Sequence, residues 1–473
     1  MNRALAFVDE ENMSMLTDLY ELTMCASYFD NKRFEPASFD LFIRRLPQNR
    51  SYFLFAGLEQ VLLFLERMKF KEEHIEYLKT QGFKEDFLQY LQGLKFSGDV
   101  WAIPEGTVVF PNEPLIRVVA PVIEAQLVET FILNTINLQT TIATKASRVV
   151  QAAKGRPVIE FGLRREHGVD AGLKVARASY IAGCSGTSNV LAGMLYGIPV
   201  FGTMAHSFVM FFSNELESFR AFTKTFPEKS TLLVDTFDSI KGAENAILVA
   251  EELGKRGFKL RGIRLDSGDL AELSRRIRRM LDESGHSYVQ IFASGDLDEY
   301  RIEKLLKNGA KIDSFGVGTK MGTSADRPYV DIIYKLCERM DERGNFTPIM
   351  KLSEGKATLP GRKQVFRFKN SQGEFEKDVI ALEDEKINGE PLLVKVMEKG
   401  NIVYDLPTLE EIRKRAAENL SKLPEKYKKL RGKARYPVEL SPKLKRLIRN
   451  LKRKLKEAEK ATGTPRLSLW NSH

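Results

Sequence analysis

Six short apolar runs, each closing on a polar cluster, constrain this chain more than any other feature. They are EFGLRR (160–165), FGTMAHS (201–207), LVDTFDS (233–239), IRLDSGDL (263–270), FASGDLDEY (292–300) and FGVGTKMG (315–322). They recur at intervals on the order of thirty residues with helix-forming sequence between them, the spacing of a strand followed by a crossover helix. Such a series predicts parallel strands, because parallel neighbours need a long connection. If the strands close into a barrel, all six clusters meet at its C-terminal rim, where barrel enzymes carry their chemistry. One active site is therefore expected.

At 473 residues the chain exceeds one ordinary core, which predicts two or three domains. Residues 1–125 are expected to form the first part of a mixed α+β domain, with a helix over 13–30, a strand in FDLFIRRLP (39–47) and β-rich sequence over 101–121. Residues 126–350, opening on the helical stretch 124–153, are the barrel candidate. Residues 351–437 contain hairpin-forming sequence at 361–382 and are expected to return to the N-terminal domain, and 438–473 reads as a basic helical tail. The formal charge of +10 gathers mostly in 422–435 and 443–460. Without interleaved aromatics, basic helices of this kind read as solvated faces, so no nucleic-acid partner is expected. Cys25, Cys184 and Cys337 show no paired or metal-binding spacing, which predicts reduced thiols in a cytoplasmic protein without structural zinc. No apolar run approaches the roughly twenty residues that cross a bilayer, so no membrane partner is expected.

The clusters carry distinct chemistry. Gly295 and Asp296 in GDLD, and Gly318 and Thr319 in GVGT, follow the two last strands, where glycine lets backbone N–H groups approach an anion and a helix N-terminus adds its dipole. Together they read as a phosphate cradle. Arg264 and Asp266 stand at a strand end, where a carboxylate can hold ribose hydroxyls or, through water, magnesium; Asp269 reads as a cap of the next helix. His206, beside Ser207, follows the apolar run IPVFGT and can act as acid, base or nucleophile near neutral pH. His167 also lies beside a cluster, whereas His74, His286 and His473 are expected to be solvated. Phe161 can stack on a flat ring and Arg164 or Arg165 can pair with a carboxylate or phosphate. Asp235 and Asp238 can orient a neighbouring base, bind ribose or cap helices.

The strings TDLYELTM (17–24), EFGLRR, GTSNVLAG (186–193), GTMAHSF (202–208), DTFDS (235–239), IRLDSGDL, SGDLDEY (294–300) and FGVGTK (315–320) closely resemble nicotinate phosphoribosyltransferases over roughly residues 13–340. The resemblance implies the type II phosphoribosyltransferase fold, an irregular TIM-like α/β barrel beside a mixed α+β domain built from both chain ends. It implies joining of nicotinate to phosphoribosyl pyrophosphate with coupled ATP hydrolysis, substrate-bound Mg²⁺ and no protein metal site, in a homodimer with shared active sites. By the same resemblance Phe161 stacks on the pyridine ring, Tyr20 covers its other face from the second subunit, and Arg164 pairs with the carboxylate or a nearby phosphate. His206 corresponds to the histidine that ATP phosphorylates, Asp235 supports it, and Ser207 lies beside it among the substrate-binding residues. Arg264 and Asp266 engage ribose and pyrophosphate, while Gly295, Asp296, Gly318 and Thr319 hold the 5′-phosphate. Nicotinamide phosphoribosyltransferase, the alternative, has an aspartate that accepts the amide N–H₂ where this chain has Ser188. Serine donates to a carboxylate that an aspartate repels, so nicotinate is the expected substrate.

Overall fold

The structure, a computed structural model, describes residues 8–351, 358–432 and 434–462. It divides into two compact units, Thr141–Pro328 and a second that joins Met1–Thr140 to Tyr329–His473. The divisions thus fall at 140/141 and 328/329, not near 125 and 350. Glu129–Ala152 is one 24-residue helix, so no linker marks the first change of domain. The second division moves because Ile332–Met340 pairs antiparallel with Pro36–Ile43, which draws that strand into the end domain.

In the end domain, Pro36–Ile43 lies between Ile332–Met340 and Pro114–Pro121 in a seven-stranded sheet. All but its first residue are buried, and its one carboxylate, Asp40, meets the buried ammonium of Lys363 at 2.7 Å. Val394–Glu398 adds to the same sheet beside Asp99–Ala102. The expected helix over 13–30 is a 3₁₀ turn, Met13–Met15, followed by the α-helix Leu19–Asp30 with Asp18 at its N-cap position. The hairpin expected at 361–382 forms from Lys363–Lys369 and Phe375–Leu382. The basic tail begins as part of this domain: Val438–Leu440 pairs with Phe375–Leu382, and Leu444 of the helix Pro442–Thr462 is fully buried. Residues 463–473 of that tail lie outside the described residues.

The barrel strands are β1 (Val158–Glu160), β2 (Gly186–Thr187), β3 (Thr231–Leu233), β4 (Gly262–Leu265), β5 (Gln290–Ala293) and β6 (Ser314–Val317). Every neighbouring pair is parallel, in the order β2-β1-β6-β5-β4-β3. Because β6 returns to lie beside β1, the order runs round a ring, as a barrel requires, and opens at one seam between the β2 side and β3. The run IPVFGT, expected as a full strand, contributes only a bridge from Val200 to Thr187. Pro199 lacks the N–H that a ladder needs, and Gly197 before it is left-handed at φ 69°. That is why the barrel is irregular. Alternate strand positions face inward: Ile159, Thr231, Gly262, Gln290, Phe292 and Ser314 surround a cavity of about 290 Å³, with Phe201 lining it beside the seam.

Outward positions such as Ile263, Ile291, Phe315 and Val317 are buried beneath the crossover helices. Those helices start on rim aspartates. Asp238 caps Ser239–Lys255, Asp269 caps Leu270–Glu283 and Asp298 caps Glu299–Lys307, each accepting backbone N–H groups. Asp269 is therefore the cap it was expected to be, and of the roles open to Asp238 the cap is the one formed. The first of these helices sits so close to β3 that a Cβ on Gly242 would lie 2.1 Å from the Val234 carbonyl oxygen. Gly242→Ala is expected to destabilise the protein by about 1–3 kcal/mol through overpacking. A denaturant midpoint lowered with unchanged slope would agree; a midpoint at or above the parent's would refute the close packing.

Candidate active site

The polar ends of the barrel strands converge on one cavity of about 450 Å³. Phe161, Arg164, Ser188, Arg264, Asp266, Gly295, Asp296, Gly318 and Thr319, all expected as site residues, line it together. Tyr20, His206, Ser207 and Asp235 are not among its lining residues. Tyr20 lies on Leu19–Asp30 of the end domain and is half exposed. Ser207 is exposed on the short helix His206–Phe211.

Arg264 organises the rim. Its Nε donates to Ser294 Oγ at 2.7 Å, one terminal nitrogen reaches Thr203 Oγ1 and the Met204 carbonyl at 3.2 and 3.3 Å, and the other donates to Asp266 Oδ1 at 2.7 Å. Its plane also lies 5.8 Å from the centroid of the Phe161 ring. One side chain on β4 thereby ties β5, the loop at the seam and the aromatic platform after β1. Asp266 is partly buried, which opposes its ionisation, but hydrogen bonds from Ser294 and Arg264 and the charges of Arg264 and His206 outweigh burial and hold its carboxyl below the usual range. Its Oδ1 takes both donors, which leaves Oδ2 for a ligand hydroxyl.

His206 stands one step behind this cavity. Its Nδ1 and Thr236 Oγ1 are hydrogen-bonded at 3.0 Å, and its Nε2 lies 4.0 Å from Asp235 Oδ1. The other oxygen of Asp235 accepts the Asp266 N–H at 2.9 Å and the Ser267 hydroxyl at 2.6 Å. The histidine is thus coupled through one buried carboxylate to the backbone of Asp266. His74 and His286, expected in solvent, are buried instead: His74 Nδ1 accepts the Lys71 N–H at 3.1 Å, and His286 Nδ1 lies 3.1 Å from Ser284 Oγ. Each closes a local turn, a role that flanking charges do not reveal. His473 lies outside the described residues.

On the same rim, Gly295 at φ 91° and Asp296 at φ 51° are both left-handed, so the loop after β5 turns its backbone sharply beside Asp266. Gly318 precedes the short turn of helix Thr319–Gly322. Lys320 Nζ bonds Asp296 Oδ2 at 2.8 Å, and Arg301 lies 3.9 Å from the same carboxylate. Arg164, Arg165, Arg264 and Lys320 outnumber Asp266 and Asp296 as charges on this cavity, so it favours anions.

Comparison with known proteins agrees over most of the chain. Models of the nicotinate phosphoribosyltransferase N-terminal domain, the nicotinate phosphoribosyltransferase family and its C-terminal domain match residues 15–137, 157–351 and 386–448. Nicotinate phosphoribosyltransferase pncB2 of Mycobacterium tuberculosis is 48% identical over 455 residues, 96% of this chain and 96% of the relative. The chain belongs to the nicotinate phosphoribosyltransferase family. The Bacillus subtilis member is 41% identical over 91% of this chain and 94% of its own. The crystal structure of human nicotinic acid phosphoribosyltransferase superposes with a TM-score of 0.83 at 30% identity, covering 92% of this chain and 99% of that one. The fold is accordingly the irregular α/β barrel with an end domain built from both termini that the sequence implied.

Four residues that line this cavity or support His206 beside it were not singled out from the sequence: Lys320, Thr203, Ser294 and Thr236. Lys320 directly follows GVGT and Ser294 directly precedes GDLD, so adjacency to a glycine-rich turn was the available signal. Thr203 and Thr236 lie inside the clusters FGTMAHS and LVDTFDS, but nothing local singles them out, since their partners come from other strands.

A Cβ on Gly295 would lie 1.8 Å from the Asp266 carbonyl oxygen, in a backbone conformation that L side chains rarely adopt. Gly295→Ala is expected to lower kcat/KM by about 10²-fold or more, because the turn and Asp266 cannot both keep their places. Turnover within twofold of the parent's would show that the close approach does not matter.

Proposed function

We propose that the protein joins nicotinate to 5-phosphoribosyl 1-diphosphate, giving nicotinate mononucleotide and diphosphate for NAD biosynthesis. The observation that carries this reading is the single cationic cavity where an aromatic face, a serine, a ribose-ready carboxylate and two glycine turns meet. The 5′-phosphate would be held by backbone N–H groups at Gly295–Asp296 and Gly318–Thr319, with Lys320 turning from Asp296 to the phosphate. Asp266 Oδ2 would accept ribose hydroxyls, and Arg264 would face the diphosphate while keeping Asp266 ionised. Phe161 would stack on the pyridine ring, with Arg164 pairing the carboxylate and Ser188 donating to it.

In the reaction the bond from C1 of ribose to the diphosphate oxygen breaks and its electron pair leaves with diphosphate, while the pyridine nitrogen forms the new bond to C1. Positive charge develops on the sugar, so fixed anionic oxygens and exclusion of water favour the transition state. Mg²⁺ would enter on the diphosphate, where the Asp266 carboxylate on the cavity wall can face a substrate-bound cation.

ATP would transfer its γ-phosphoryl group to an imidazole nitrogen of His206, releasing ADP. The position of His206 supports this, since a charge gained there reaches Asp266 through Asp235. A homodimer with shared sites is supported by exposed apolar side chains: Val190, Met194, Met210 and Phe211 near the barrel rim, and Leu19 and Tyr20 on the end domain. Tyr20 of the second copy would cover the free face of the pyridine. A cytoplasmic setting is supported by three free, buried cysteines, and among the described residues no helix is long and apolar enough to cross a membrane.

The test is mononucleotide formation with nicotinate or nicotinamide, with and without ATP. ATP is expected to stimulate the parent protein on nicotinate, and His206→Ala to abolish that stimulation. Ser188→Asp is expected to lower kcat/KM for nicotinate by about tenfold or more and to raise the relative use of nicotinamide. Equal ATP stimulation in the His206 variant, or an unchanged substrate ratio in the Ser188 variant, would remove the corresponding role.

A further inference from the structure

Directly beneath the turn that carries Arg164 and Arg165 lie two carboxyl groups that the proposed mechanism does not use. Glu160, fully buried at the end of β1, accepts the Gly162 N–H on Oε1 and the Thr187 hydroxyl on Oε2, the latter at 2.6 Å. Glu166 follows the 3₁₀ turn Leu163–Arg165, and both its carboxyl oxygens are buried without a donor among the described residues. The two side chains flank Gly162: a Cβ there would lie 2.5 Å from Glu166 Oε1 and 2.9 Å from Glu160 Oε1. Gly172 and Gly322 close on Glu166 from the helices Val169–Ile181 and Thr319–Gly322, at 3.0 and 2.6 Å by the same measure. Three glycines thus make room for a carboxyl that has been given no donor.

We infer that Glu160 and Glu166 share one proton, and that this carboxyl–carboxylate hydrogen bond fixes the 162–165 turn so that Phe161 and Arg164 keep the geometry that nicotinate requires. A proton between the two groups supplies the donor that Glu166 otherwise lacks, and a pair of bare carboxylates in so enclosed a place would repel. Burial, then the charge of Glu160 and the hydrogen bond to it, push the Glu166 carboxyl up to about 9, and burial likewise raises Glu160. The cations nearby do not compensate. Arg164 and Arg165 are exposed, Lys174 pairs with Asp170 at 3.3 Å on the helix Val169–Ile181, and Lys320 is held by Asp296. His167, next in the chain, is exposed. Among the described residues, Glu160 is the charged group that acts on Glu166. Both glutamates are positioning residues, and their effect on nicotinate rests on the proposed role of Arg164.

The sign follows from the raised carboxyl. The shared proton is present at neutral pH and is lost as pH rises through about 9, so the turn loosens on the alkaline side. The KM for nicotinate is expected to rise several-fold between pH 7.5 and 9.5, with a smaller change in kcat. Glu166→Gln carries a permanent N–H donor in place of the shared proton; it is expected to keep the parent's KM at pH 7.5 within about twofold and to flatten the alkaline rise. Glu166→Ala has no donor and is expected to show the high KM at every pH. Infrared difference spectra of the parent protein should contain a protonated-carboxyl C=O band at pH 7.5 that vanishes above pH 9 and is absent from Glu166→Gln. If the band is missing, or Glu166→Gln keeps the parent's pH profile, the shared proton is refuted. If the band is present but the KM profile is flat, the link to the turn is refuted. Arg164→Ala, measured alongside, separates the two ideas: an unchanged nicotinate KM there would overturn the carboxylate-pairing role of Arg164 and leave the band as the measure of the shared proton. Thermal unfolding of each variant distinguishes a lost donor from a lost fold.

Discussion

One guanidinium holds the rim of this barrel together. Arg264 projects inward from β4 and bonds to Ser294, Asp266, Thr203 and the Met204 carbonyl, and it lies beside the Phe161 ring. Those partners come from β5, from its own strand end and from the loop at the seam where no regular strand forms. Arginine suits this place because its planar fork offers five fixed donors and keeps its charge, which a flexible lysine cannot reproduce. The ionised state of Asp266 depends on it in part, and through the Asp266 backbone so does the seat of Asp235 behind His206.

The seam explains why such a tie is needed. A regular barrel would close through ladder hydrogen bonds, but Pro199 and the left-handed Gly197 prevent a full strand before His206. The chain gains something in return. Residues 202–206 are freed from a ladder, so Thr203 and Met204 can turn to Arg264 while His206 begins its own short helix against Thr236. An irregular barrel is thus the structural condition for a histidine placed beside the cavity and not within it.

Much of this was legible in the residues. The apolar runs with polar ends gave most of the parallel strands, and glycine after a strand marked both glycine turns that line the cavity, because period and turn chemistry are local properties. The seam was not legible: IPVFGT has the composition of a strand, and the earlier pair GT at 186–187 is too short to register. Domain boundaries were misplaced because a continuous helix, Glu129–Ala152, runs through one of them, and because the strand Ile332–Met340 chooses its partner 290-odd residues away, roughly the separation where local signals carry no information. Thr236 was missed for the same reason, since side-chain convergence is set by tertiary packing. The solvated reading of His74 and His286 failed because a charged neighbourhood in sequence does not exclude a buried ring that closes its own turn.

The most direct test of this account is the steady-state kinetics of Arg264→Lys with nicotinate and phosphoribosyl pyrophosphate, read beside its melting temperature. A lysine keeps the charge but cannot span Ser294, Asp266 and the seam at once. kcat/KM is expected to fall by about 10²-fold or more while the protein remains folded, because the loss is of geometry and not of charge. Activity within a few-fold of the parent's would show that charge alone suffices there, and would contradict the claim that this one side chain assembles the site.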